Sequence, residues 1–298
     1  LRMNWISGLL EVSSIFVRAD SNGWECIDIG GFFLPQSPVN KAPISLISRI
    51  DLCVLLVASV DQYLLSTKPT KSRFSVVSQH VTVCARLFEY MWLQGFYRPN
   101  DMPREAWDVL VEKILNGGWI HALEIPRRTA ALVSKIDDIN VLFGRDRDNG
   151  SGRGISRNFR KYLGTNVRSL QGVESLLYQA ANSNDIRLRG DLASYKPIAL
   201  KKMKAGNLTA SLMSFNRLVI ANVEGAPSFI PVPGVYNFSR KKAVQNGRTP
   251  NLSPEAAARL LVYSFDWVVN RGCSVVDLLE DISEDLLSTI EQKASGVL

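Results

Sequence analysis

Phe74-Ser75-Val76-Val77-Ser78-Gln79-His80-Val81-Thr82-Val83-Cys84-Ala85-Arg86-Leu87-Phe88-Glu89-Tyr90-Met91-Trp92-Leu93-Gln94-Gly95 reads as one long helix. Its apolar positions Phe74, Val77, Val81, Cys84 or Ala85, Phe88 and Trp92 recur every three to four residues, which lines them along one face. The spacing predicts a helix over 74–93 that stops near Gly95.

Working outward from this stretch, further helices follow. Towards the amino terminus, Ser45 is positioned to cap a helix reaching about Leu65, with apolar residues on more than one face. Before it, Ile15-Phe16-Val17 and Glu25-Cys26-Ile27-Asp28-Ile29 read as strands of a hairpin within 9–34. Asp20-Ser21-Asn22-Gly23 supplies the turn, since Asn and Gly tolerate positive φ. Towards the carboxyl terminus, Pro103 suits a first helical turn. That helix is expected to run to Leu115 and stop at Asn116-Gly117-Gly118, with another from Pro126 to about Phe143. Short helices are expected at 156–163 and 168–181, a strand at Val219-Ile220-Ala221-Asn222-Val223, and a loop at Pro227 to Gly234. Ser253-Pro254-Glu255 marks a helix to about Asn270, and an acidic helix starts near Ser274.

The fold class expected is therefore mainly α with a small amino-terminal β-hairpin (α+β), a helical bundle followed by a basic mixed segment. The expected domains are 1–67, 68–143, 144–250 and 251–298. At 298 residues and 46% hydrophobic, the chain can bury a sizeable core. No apolar run is long enough to cross a membrane, so no membrane partner is expected. Cys26, Cys53, Cys84 and Cys273 form no C-x-x-C pair, and Cys53 and Cys84 fall on apolar helical faces. They read as reduced core thiols of a cytoplasmic protein, and with only His80 and His121 beside them no zinc site is expected.

Charge is distributed unevenly. Residues 1–143 carry 14 Lys and Arg against 14 Asp and Glu, residues 144–248 carry 18 against 6, and residues 251–298 carry 3 against 8. A neutral head, basic middle and acidic tail point to a polyanion partner. The basic residues fall into three groups. The first is Arg145, Arg147, Arg153, Arg157, Arg160, Lys161 and Arg168, among the glycines Gly144, Gly150, Gly152 and Gly154. The second is Arg187, Arg189, Lys196, Lys201, Lys202 and Lys204; the third is Arg240, Lys241, Lys242 and Arg248. Guanidinium forks fit phosphate oxygens, and Gly lets the backbone approach them. Phe159, Tyr162, Tyr195 and Phe215 accompany the charge, as core residues first and as stacking platforms second.

Catalytic patterns are missing. There is no G-x-x-x-x-G-K-[ST] and no G-x-S-x-G, and neither His80 nor His121 has a nucleophile in a recognisable setting. Asp137-Asp138 and Glu280-Asp281 with Glu284-Asp285 read as exposed faces of helices rather than a metal site. No cofactor is expected.

Thr70-Lys71-Ser72-Arg73-Phe74, then Leu87-Phe88-Glu89-Tyr90-Met91-Trp92-Leu93-Gln94-Gly95, then Asp101-Met102-Pro103-Arg104-Glu105-Ala106-Trp107 and Arg127-Arg128-Thr129 together resemble the core-binding domain of tyrosine recombinases, the phage-integrase family. The resemblance covers about a quarter of the chain. It implies a helical clamp on duplex DNA, with Lys71, Arg73, Gln79, Arg127 and Arg128 at the contacting positions. The family's catalytic set departs: His80 and His121 open no H-x-x-R, and no Gly-Leu-Arg occurs. Asn251-Leu252-Ser253-Pro254-Glu255-Ala256-Ala257 resembles the helix that opens its catalytic domain. The resemblance thus implies the amino-terminal part of a longer recombinase, or a DNA-binding relative without catalysis, associated with the nucleoid in a bacterial host. Three readings stand side by side: duplex DNA binding, binding of single-stranded RNA as in a helical nucleocapsid-like protein, and a protein–protein scaffold, with self-association compatible with each.

Overall fold

A computed structural model describes residues 5–6, 9–10, 14–18, 24–36, 42–67, 73–143, 158–167, 173–184, 186, 201–244, 254–272, 276–277 and 279–284. The chain is mainly helical with small antiparallel strand pairs near its amino terminus. Strands β1 (Trp5–Ile6) and β2 (Leu9–Leu10) pair with each other. The expected hairpin forms from β3 (Ser14–Arg18) and β4 (Trp24–Asp28), in register from Ser14 opposite Asp28 to Arg18 opposite Trp24. Ile15, Val17 and Ile27 are buried, so alternation turns one face of the hairpin inward. Strands β5 (Phe33–Leu34) and β6 (Ile44–Ser45) form a third pair.

Nine α-helices follow among the described residues: α1 (Ile50–Ser66), α2 (Arg73–Leu93), α3 (Arg104–Ala122), α4 (Ile125–Val133), α5 (Asn158–Leu163), α6 (Glu174–Asn182), α7 (Ala205–Ile220), α8 (Val235–Lys242) and α9 (Pro254–Asp266). Helix α2 is the axis of the core. From Val83 to Met91 every residue except Arg86 is buried, which covers all sides of its second half. Helices α1 and α7 pack on it, and α8 packs on α7. Phe215 of α7 sits between two indoles of α3, with ring centroids 5.4 Å from Trp107 and 6.0 Å from Trp119 in edge-to-face geometry.

Two compact units divide the chain, Leu1–Asn246 and Gly247–Leu298. The expected boundaries at 67/68 and 143/144 both fall inside the first unit. Packing of α7 on α1 and α2 ties the basic segment to the helices before it.

Several local expectations need correction. Ser45 does not cap α1; it ends β6, a 3₁₀ turn intervenes at Leu46–Ser48, and Arg49 occupies the cap position without a side-chain bond. The regular helix from Arg104 does break where Gly117-Gly118 is expected to stop it, and a second helical piece follows within α3. The break is at Gly118, whose φ of 67° and ψ of −167° only glycine adopts readily, and the second piece runs on to Ala122. Helix α4 ends at Val133 rather than Phe143, leaving a separate 3₁₀ turn at Ile139–Leu142. Val219 and Ile220 are the last residues of α7, not a strand. Their β-branched side chains continue the helix because Leu208, Leu212, Phe215 and Leu218 already commit α7 to the core. The Arg-Gly loop at 144–157 lies outside the described residues.

Candidate nucleic-acid interface

Of the five positions implied by the recombinase resemblance, the four that the structure describes do not form one exposed face, since Arg73 and Arg128 are half-buried. Lys71 lies outside the described residues. Arg73 is half-buried at the start of α2 and donates to the Leu64 carbonyl. Gln79 is exposed. Arg127 is 83% exposed and pairs with Glu124 at 3.0 Å.

Arg128 turns inward, with its side chain only 14% exposed, and its Nη1 donates to the fully buried Glu89 carboxylate at 2.6 Å. Its Nη2 donates to the carbonyls of Leu163 (2.6 Å) and Gly164 (3.1 Å). The other Glu89 oxygen accepts the Asn166 backbone N–H at 2.7 Å. The Asn166 amide group in turn brackets the Phe33 backbone, accepting from its N–H and donating to its C=O, both at 2.8 Å. Burial pushes the Glu89 carboxyl above the ordinary range, against the pull of Arg128 and the Asn166 N–H. Arg128 is therefore a structural tie between α2, α4, β5 and the turn at 163–167, and a phosphate would have to break that tie to reach it. The Arg128 guanidinium is thus engaged within the protein on both Nη atoms.

The described members of the second and third basic groups lie on segments that meet. Lys204 and Val244 form an isolated parallel bridge. Met203 N–H donates to the Leu115 carbonyl at 2.8 Å, Val244 N–H to the Met203 carbonyl at 3.1 Å and Ala205 N–H to the Val244 carbonyl at 2.8 Å. These bonds hold the entry of α7 beside the exit of α8, so Lys201, Lys202 and Lys204 lie next to Arg240, Lys241 and Lys242. All six are exposed. The last three sit in the final turn of α8, where the helix dipole favours cations. Helix α7 begins at the same place with no side-chain cap, so its first N–H groups add positive potential to that end.

Tyr236 lies one turn before Arg240 on the same side of α8 and is 69% exposed. Sequence reasoning missed it; its i, i+4 spacing from Arg240 is the signal that would have found it. Of the aromatics singled out instead, Phe159 and Phe215 are fully buried, Tyr162 is exposed on α5, and Tyr195 lies outside the described residues. No family model, curated protein or solved structure matches the chain.

The remaining first-group residues contribute little that the structure describes. Arg145, Arg147, Arg153 and Arg157 lie outside the described residues, while Arg160 is half-buried and Lys161 exposed on α5. Among the described residues no three His, Cys, Asp or Glu side chains gather as a metal site requires, and no helix is long and apolar enough to cross a membrane.

His80 is buried between α1 and α2. Its Nε2 lies 2.8 Å from Ser59 Oγ, which donates its own proton to the Leu56 carbonyl at 2.7 Å. The imidazole Nε2 must then carry the hydrogen, leaving Nδ1 to face Cys84 Sγ at 3.6 Å. Burial, with help from the charge of Arg217, lowers the His80 pKa to about 3, and burial raises the Cys53 thiol to about 11. A neutral imidazole with no carboxylate partner, sealed from solvent beside a protonated thiol, holds two helices together and offers no nucleophile.

Proposed function

We propose that the protein binds nucleic acid through Lys201, Lys202, Lys204, Arg240, Lys241 and Lys242, and that duplex DNA is its ligand. The observation that carries the proposal is the Lys204–Val244 bridge, which turns two separate basic runs into one exposed cluster. A solvated basic surface with no partner needs no such convergence. Six exposed cations on the entry of α7 and the exit of α8 suit a ligand carrying several phosphates better than a single small anion. The resemblance of residues 70–143 to a recombinase core-binding domain favours duplex DNA over other polyanions. Because α2 is buried around its second half, we assign the contact to the 201–244 surface and not to the faces of that helix. One observation favours a second reading: exposed Tyr236 beside Arg240 offers a stacking platform, which suits a single strand.

Fluorescence anisotropy against a duplex and a single-stranded RNA of equal length, at low salt, tests both. The proposal expects duplex binding that weakens steeply with added salt. Tighter binding of the single strand selects the second reading, and no binding to either removes the proposal.

A further inference from the structure

Helix α8 carries two aromatic side chains, and they are turned to different uses. Phe238 is half-buried and packs against the core. Tyr236 is 69% exposed. Among the described residues its hydroxyl has no hydrogen-bond partner, and its ring meets no other ring and no cation. Tyr63, Tyr90 and Tyr97 differ: each has a cation over its ring, at 4.5 Å, 5.9 Å and 6.0 Å. Tyr236 stands four residues from a run of three cations, yet its ring is bare.

The charge around it is of one sign. Residues 201–220 and 235–244 contain no Asp or Glu, so the segments that carry the cluster offer its cations no carboxylate of their own. The one acidic residue between α7 and α8, Glu224, is paired with Arg98.

Spacing sets what the ring can meet. Tyr236 and Arg240 lie on the same side of α8, about 6 Å apart along the axis. A strand whose phosphate rests on Arg240 can lay a neighbouring base on the Tyr236 ring. Paired bases cannot reach it, because they show only their edges in the grooves and their faces stack on one another. A base offers its face to a side chain where pairing ends. Six cations suit the dense charge of a duplex backbone, and a bare ring suits an unpaired base. A duplex end with an overhang supplies both.

We propose, on the footing that the cluster binds DNA, that its ligand is a duplex with a single-stranded overhang: the duplex backbone rests on the six cations and the first unpaired base stacks on Tyr236.

Anisotropy titrations of the full chain at low salt compare three DNAs that share one duplex. The first is blunt, the second has a short overhang, and the third has the same overhang made abasic at its first unpaired position. The last two differ by a base and not by charge. The wild type is expected to bind the intact overhang about tenfold more tightly than the abasic one, the effect of one stacked base. Tyr236→Ala is expected to bring that ratio below about twofold, and Tyr236→Trp to keep it. K201Q/K202Q/K204Q is expected to weaken binding of all three DNAs while the ratio stays near tenfold. A wild-type ratio near one, with the blunt duplex still bound, overturns the overhang and leaves the cluster as a duplex site. A tenfold ratio that survives Tyr236→Ala overturns it too, as does a free single strand bound as tightly as the overhang duplex. Binding to none of the three removes the overhang together with the cluster's function.

Discussion

Helices α2 and α9 are built from the same kinds of side chain, yet one is the best-buried element of the molecule and the other is among its most exposed. In α2, eleven of 21 residues are buried, and its single buried carboxylate has a cation and a backbone N–H to answer it. In α9, Leu, Val, Tyr and Phe face water. Apolar content therefore identifies a helix that must be covered without saying by what. The first unit covers its own apolar helix and leaves Lys and Arg side chains exposed, while the apolar side chains of α9 are exposed.

The sharpest way to break the contrast is to open the first unit from within. Arg128→Ala leaves Glu89 buried without its cation and three carbonyls without a donor. A loss of about 3–5 kcal/mol is expected, read as a shift in the denaturant midpoint. Gly164→Ala comes next. Gly164 has φ of +64°, and an added Cβ would stand 2.6 Å from Pro35 Cα and 3.1 Å from the Leu34 carbonyl oxygen. A loss of about 2 kcal/mol or more is expected in the same assay.

His80 gives a smaller effect that depends on pH. Its folded pKa is depressed to about 3 from 6.5, so the stability linked to it is complete above pH 6.5 and is lost as pH falls towards 3. The expected slope is about 1 kcal/mol per pH unit below pH 6, before most carboxylates titrate. His80→Gln should flatten the curve between pH 6.5 and 5; an unchanged slope would place its cause elsewhere. Smallest of all for stability, K201Q/K202Q/K204Q should leave the unfolding midpoint within about 0.5 kcal/mol, since all three side chains are exposed.

The sequence made some of this legible. Periodicity placed α2 to within one residue, because a central helix repeats its apolar pattern for more than five turns. Turn chemistry at Asp20 to Gly23 placed the hairpin, and Ser253-Pro254 placed the start of α9. The tie among Glu89, Arg128 and Asn166 was not legible, since its members come from three elements far apart in the chain. Arg128 consequently read as a surface cation. The end of α7 was misread because Val219-Ile220 has strand chemistry locally, while tertiary packing decides its conformation. The three basic groups were visible as composition. Among the described residues, the Lys204–Val244 bridge helps bring segments of two of them together, and a single parallel bridge has no local signature.

That cluster carries the functional claim, and one titration tests it most directly. Duplex DNA is titrated with the wild type and with K201Q/K202Q/K204Q across a salt series. The account predicts that the variant binds on the order of tenfold to a hundredfold more weakly at low salt, with a log–log salt slope shallower by about 3, one for each charge removed. Equal affinity and equal slope for the two proteins would contradict it.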